Sequence, residues 1–77
     1  MPPLSHLKLS RLAELEGFRT KEGLLHTYIR ETVVPGICMR PDCEGVASVD
    51  RHERAGRCDT CGHDTIQSCL VIAGLLI

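Results

Sequence analysis

Residues 35–63 read PGICMRPDCEGVASVDRHERAGRCDTCGH, and this stretch decides how the chain folds. It holds Cys38-x4-Cys43 and Cys58-x2-Cys61-Gly62, separated by 14 residues, and is rich in Gly, Pro and Asp with almost no apolar periodicity. Such a segment cannot build a core from its side chains alone, which is what is expected where a metal replaces the core. Each cysteine pair can close a tight knuckle, because backbone N–H groups after the first cysteine turn toward its sulfur and Gly62 permits φ > 0. Four thiolates at about 2.3 Å give Zn²⁺ a closed tetrahedral shell with no position left for water or substrate. The expected metal ligands are therefore Cys38, Cys43, Cys58 and Cys61, and metal-centred catalysis is not expected. Between the pairs, residues 46–49 read as a strand and 55–57 as its partner across a polar turn at 50–53, a hairpin that would bring the knuckles face to face.

Across residues 36–63 the pattern resembles the zinc-ribbon family, with C-x2-C-G its most typical part. The first pair departs from the commonest ribbon pattern in its four intervening residues, and in having Gly45 two positions after Cys43 instead of adjacent. PGICMRPDC and RCDTCG, followed by SCLVIAGLLI, resemble a family of small bacterial proteins of uncharacterised function with a C-terminal zinc ribbon. That resemblance implies the metal and supplies no activity. A site of two knuckles also resembles rubredoxins, which carry electrons on iron. Rubredoxins use two C-x2-C-G knuckles and an aromatic-rich core, whereas this chain has one such knuckle and only Phe18 and Tyr28 as aromatics. Zinc is thus expected over iron.

Size points the same way. A chain of 77 residues has room for a single domain and hides so little surface that its core alone is marginal. Its 43% hydrophobic and 25% charged residues are those of a folded chain. The N-terminus MPPLSHLKLSRL has no apolar stretch of the kind that opens a secretory signal, which predicts a cytoplasmic protein. The longest apolar run, residues 69–77, falls well short of the roughly 20 residues needed to span a bilayer. In a reducing compartment an odd count of five cysteines favours metal over disulfides. The formal net charge is −1; four thiolates subtract four charges and Zn²⁺ adds two, leaving about −3, the wrong sign for strong phosphate-driven binding.

The flanks carry the remaining apolar residues. Leu4, Leu7, Leu12 and Leu15 fall at roughly helical spacing, with Ser5 as N-cap and Gly17 as the stop. A second helix begins near Thr20, places Leu24, Leu25, Tyr28 and Ile29 on one face, and ends before Pro35. Together they predict a helical hairpin over residues 4–33. It invites comparison with a DNA-reading helix-turn-helix, but the second helix offers Lys21, His26 and Arg30 beside Glu22 and Glu31, and no Asn or Gln to read base edges. A packing hairpin is the favoured reading. In the final segment, 64–77, Asp64 and Gln67 have capping-box spacing, and Ile66, Cys69, Leu70, Ala73, Leu76 and Ile77 follow a helical period. LVIAGLLI is also β-branched enough to be a buried strand, and both readings stay open, with helix preferred.

Other candidates weigh less. Cys69, on an apolar face, reads as a buried structural thiol. His63 follows the second knuckle, but four cysteines already fill the shell. His52 reads as a solvated loop residue, and His6 and His26 have no partners in sequence. Arg51, Arg54 and Arg57 could touch phosphate, yet Asp50, Glu53 and Asp59 are interleaved with them. No catalytic set is present, so no enzyme is expected. The sequence therefore predicts an α+β domain: helical hairpin 4–33, zinc ribbon 36–63 and packing segment 64–77. Its expected role is a zinc-stabilised protein-interaction module, with the apolar end at 73–77 as the surface for a partner or a second copy. A nucleic-acid-binding regulator and an iron electron carrier are the alternatives.

Overall fold

In the computed structural model, which describes residues 4–75, the chain opens with helix α1, Leu4–Leu15, and helix α2, Lys21–Tyr28. They separate where the sequence places the break. Gly17 takes a φ of 83°, and the Thr20 hydroxyl accepts the Gly23 N–H at 3.1 Å as the N-cap of α2. Ser5 is not the N-cap of α1, because Leu4 is already helical.

The buried face of α1 also differs from the expected one. Lys8, Leu9, Leu12 and Ala13 are buried, while Leu4, Leu7 and Leu15 are exposed. Helical spacing admits two leucine stripes on this segment. The second can turn inward because the Lys8 ammonium, which would otherwise demand water, donates to the backbone carbonyl of Cys43. On α2, Leu24 is fully buried and Leu25 and Tyr28 pack against the same cluster, but Ile29 stays exposed.

Helix α2 stops short of residue 33 because Val33 and Val34 belong to a strand. Strands β1 (Val33–Cys38), β2 (Val46–Asp50), β3 (Gly56–Arg57) and β4 (Asp64–Ser68) form one antiparallel sheet in the order β2-β1-β4-β3. Both expected strands exist, but they do not pair with each other. β2 pairs with β1 from Val33↔Asp50 to Ile37↔Val46, and β3 pairs with β4 through Gly56↔Ile66. Each cysteine pair thus sits in the turn of its own hairpin, and pairing of Cys38 with Ile66 joins the two hairpins. Pro35 is tolerated in β1 because β4 pairs only with residues 36–38, so β1 has a single neighbour at Pro35.

The last segment is strand and then helix. Asp64 and Gln67 lie in β4 and cap nothing; Ser68 caps the short helix α3, Cys69–Ile72, by accepting the Val71 N–H at 3.1 Å. The same hydroxyl donates to the Arg51 carbonyl at 2.6 Å, and the Ser68 N–H donates to Glu53 O at 3.0 Å. These bonds fasten the β4–α3 junction to the turn after β2. Of the apolar end expected at 73–77, Leu75 is exposed, and residues 76 and 77 lie outside the described residues.

Among the described residues the buried side chains form two apolar clusters. Leu9, Leu12, Ala13, Leu24, Val34, Ile37, Cys69 and Leu70 form one, shared by the three helices and β1. Cys38, Cys43, Cys58 and Ile66 form the other, bordered by Ala47, Val49 and Cys61. The first holds itself together by burying leucines, each worth about 1.5–3 kcal/mol. The second is mostly sulfur and lacks that resource. Among the described residues no helix is long and apolar enough to cross a membrane.

Candidate metal centre

The sheet delivers the four cysteines to one point. Cys38 ends β1, and its N–H donates to Gly45 O at 2.8 Å, closing the first knuckle across the base of its loop. Within that loop the Cys43 N–H donates to Arg40 O at 3.2 Å, the turn that swings Cys43 back toward Cys38. The second knuckle is tighter. Cys58 N–H donates to His63 O at 2.8 Å, and Gly62 N–H donates to Cys58 O at 2.7 Å, with Gly62 at φ 77° as C-x2-C-G predicts.

All four Sγ atoms lie within 4.8 Å of one another. Cys38 Sγ is 3.7 Å from Cys61 Sγ, and Cys43 Sγ is 3.7 Å from Cys58 Sγ. A tetrahedron with metal–sulfur bonds of about 2.3 Å has edges of about 3.8 Å, so these spacings are those of a four-thiolate shell. No two of the cysteines are joined as a disulfide. Cys38, Cys43 and Cys58 are buried and Cys61 is partly exposed. The donor set is four sulfurs, which suits zinc and iron.

Hydrogen bonds prepare the sulfurs to carry charge. Burial pushes the Cys38 thiol up, but bonds from the Thr65 hydroxyl, 2.9 Å from Sγ, from the Arg40 N–H and from neighbouring thiols outweigh it, so it lies below the ordinary thiol value. Cys58 receives the backbone N–H groups of Cys61 and Thr60 and falls to about 7. Cys43 is the counterpart: the Gly45 N–H pulls it down, but burial and the hydrogen bonds to the other three thiols leave it pushed up to about 12.

Three contributors carry no local sequence signal. Thr65, four residues after Cys61, bonds Cys38 Sγ. Lys8 reaches the first knuckle from α1. Gly45, noted only as a departure from the ribbon pattern, is needed for space: a Cβ there would collide with Cys58 Sγ and lie 3.1 Å from Thr60 Oγ1.

The histidines stay outside the shell. His63 Nδ1 donates to Cys61 O at 3.0 Å, and its side chain is exposed. His52 donates its backbone N–H to Asp50 Oδ1, and His6 Nδ1 accepts from Lys21 Nζ at 2.6 Å, a partner the sequence did not disclose. His26 is exposed on α2. Cys69 is fully buried in the helical cluster, and burial pushes its thiol up to about 11, the state of an inert structural cysteine. Of the three hairpin arginines, Arg51 is committed to fold, donating from Nη2 to Ile29 O at 3.1 Å just past the end of α2, whereas Arg54 and Arg57 are exposed. No protein-family model, curated protein or solved structure matches the chain, so the likeness to zinc ribbons rests on the cysteines and their geometry alone.

Proposed function

We propose that the chain is a non-enzymatic zinc-binding protein whose metal is structural and whose role is to present a surface to another protein. The observation that carries the metal reading is the convergence of four Sγ atoms within 4.8 Å of one another, two of the spacings being 3.7 Å, in a cluster that has little else to hold it. Cys38, Cys43, Cys58 and Cys61 hold the ion, Thr65 and the knuckle N–H groups stabilise the thiolates, and a full shell leaves no site for a substrate. Support for the interaction role comes from apolar side chains left at the surface: Leu4, Leu7 and Leu15 on α1, and Leu75 at the other end. Leu4 and Leu7 border an open groove of about 380 Å³ between α1 and Pro41 of the first knuckle.

Iron is the second reading, favoured by the part-exposed Cys61, which brings one sulfur close to the surface for electron exchange. A colourless protein with zinc by elemental analysis supports the first reading; a red one supports the second. Affinity capture from the native host, run with wild-type chain and a Leu7→Ser variant, tests the interaction role. A protein retained by wild type and lost by the variant supports it. Tight nucleic-acid binding that weakens steeply with salt would replace it with the regulator reading.

A further inference from the structure

Lys8 occupies an unusual position for a lysine. It is 5% exposed, and its ammonium donates to one described acceptor, the carbonyl of Cys43. Among the described residues no carboxylate pairs with it: the ion pairs join Arg11 to Glu14 and Glu44, Lys21 to Glu22, and Arg40 to Asp42. Burying an unpaired ammonium is costly, and proteins pair such charges or do not bury them. The residue it touches belongs to the cysteine cluster. Four thiolates around a divalent ion carry a net charge of about −2, in a region of low dielectric where opposite charges attract strongly.

We propose that Lys8 is the counter-charge and positioning residue of the metal site: its ammonium balances the anionic four-thiolate centre, and its bond to Cys43 O fixes the knuckle that aims the Cys43 sulfur. This rests on the reading of the four cysteines as a metal site. It makes α1 part of the metal centre and explains why the helix turns Lys8 inward and leaves Leu4 and Leu7 in water. The Arg11–Glu44 pair at 2.8 Å, one turn along α1 and one residue past Cys43, holds the same helix to the same loop from outside.

Metal affinity and sulfur electronics test it together. Zinc dissociation constants are measured against a chromophoric chelator for wild type, Lys8→Met, Lys8→Arg and Leu9→Val. Lys8→Met keeps the apolar stem but removes charge and donor, and is expected to weaken zinc about 10- to 100-fold, the usual effect of removing an outer-shell partner. Lys8→Arg retains charge and donor and restores most of the affinity. The Co²⁺-loaded proteins supply a readout that packing alone does not move. Without the nearby cation the sulfur lone pairs rise in energy, so the sulfur-to-cobalt charge-transfer band shifts to longer wavelength in Lys8→Met and stays in place in Leu9→Val. If Lys8→Met does not fold, Lys8→Gln, neutral but still a donor, is expected to show the same band shift with a smaller loss of affinity. A neutral variant that binds zinc like wild type, or whose band does not move, would overturn the proposal while leaving the metal reading intact. A wild-type chain that takes up neither zinc nor cobalt would overturn both.

Discussion

Replacing Gly45 with Ala places a methyl group where the structure has only the sulfur of Cys58. The new Cβ would overlap that sulfur and press on Thr60, 3.1 Å away at Oγ1 and 3.2 Å at Cβ. Cys58 cannot easily retreat. Its sulfur is held by the N–H groups of Cys61 and Thr60 and stands 3.7 Å from Cys43 Sγ, already at the edge length of a metal tetrahedron. Strain from one added methyl group in a packed site is about 1–3 kcal/mol. Taken wholly from the metal-bound state, that corresponds to roughly 5- to 150-fold in zinc affinity, at about 1.4 kcal/mol per factor of ten. Gly62→Ala is the comparison: nothing lies within 4 Å of its added Cβ, so it pays only for the left-handed backbone at φ +77°, about 1–2 kcal/mol. Chelator competition measures both affinities, and the Co²⁺ spectrum reports the shape of the shell. Gly45→Ala is expected to distort the spectrum as well as weaken binding, and Gly62→Ala to weaken binding with the spectrum unchanged. A Gly45→Ala protein with wild-type affinity and spectrum would refute the placement of the first knuckle beneath Cys58.

Three further outcomes are expected. Ser68→Ala leaves the Arg51 carbonyl and the Val71 N–H without their hydroxyl partner at a buried position, and lowers stability by about 1–3 kcal/mol, read as the shift in a denaturant midpoint of the zinc-loaded protein. Leu12→Ala empties a fully buried position between the helices and the sheet and costs about 2–5 kcal/mol by the same assay, a large share of the stability of so small a domain. Zinc affinity rises with pH, because the metal takes thiolates and must displace their protons. Cys43 and Cys58, whose sulfurs stand 3.7 Å apart, differ in how readily they give up that proton. Cys58, lowered from 9.0 to about 7, gives it up near neutral pH, whereas Cys43, raised to about 12, keeps it well into the alkaline range. Near neutral pH Cys43 therefore still holds a proton that zinc must release, and titration calorimetry in buffers of different ionisation enthalpy should detect it. Affinity that does not change between pH 6 and 8 would contradict this.

The two knuckles were legible because C-x4-C and C-x2-C-G are local patterns whose spacing makes the turn, although the β1–β4 pairing is what brings them together. The α1–α2 break at Gly17 and the Thr20 cap were legible for the same reason. What escaped was set by long-range pairing. The second helix, expected to end before Pro35, stops at Tyr28, and Val33 to Cys38 form a strand that only the partners β2 and β4 make visible. The helical period of residues 66–77 is real in sequence, yet hydrogen bonds to β1 and β3 hold residues 64–68 extended, and Ser68 starts the helix later. The strands expected at 46–49 and 55–57 are present as β2 and β3 but do not pair with each other, since composition does not disclose that each pairs with β1 or β4 instead. The inward face of α1 depends on a lysine satisfied 35 residues away by a knuckle carbonyl, a contact that no helical periodicity contains.

Whether the metal holds the fold is decided by native mass spectrometry of the purified chain, with and without a strong chelator and followed by thiol alkylation. A structural zinc site gives one zinc ion per chain, protection of Cys38, Cys43, Cys58 and Cys61 while the metal is bound, and alkylation with loss of the folded charge-state envelope once it is removed. A metal-free chain that keeps its folded envelope, with these four thiols as reactive as in denaturant, would contradict it.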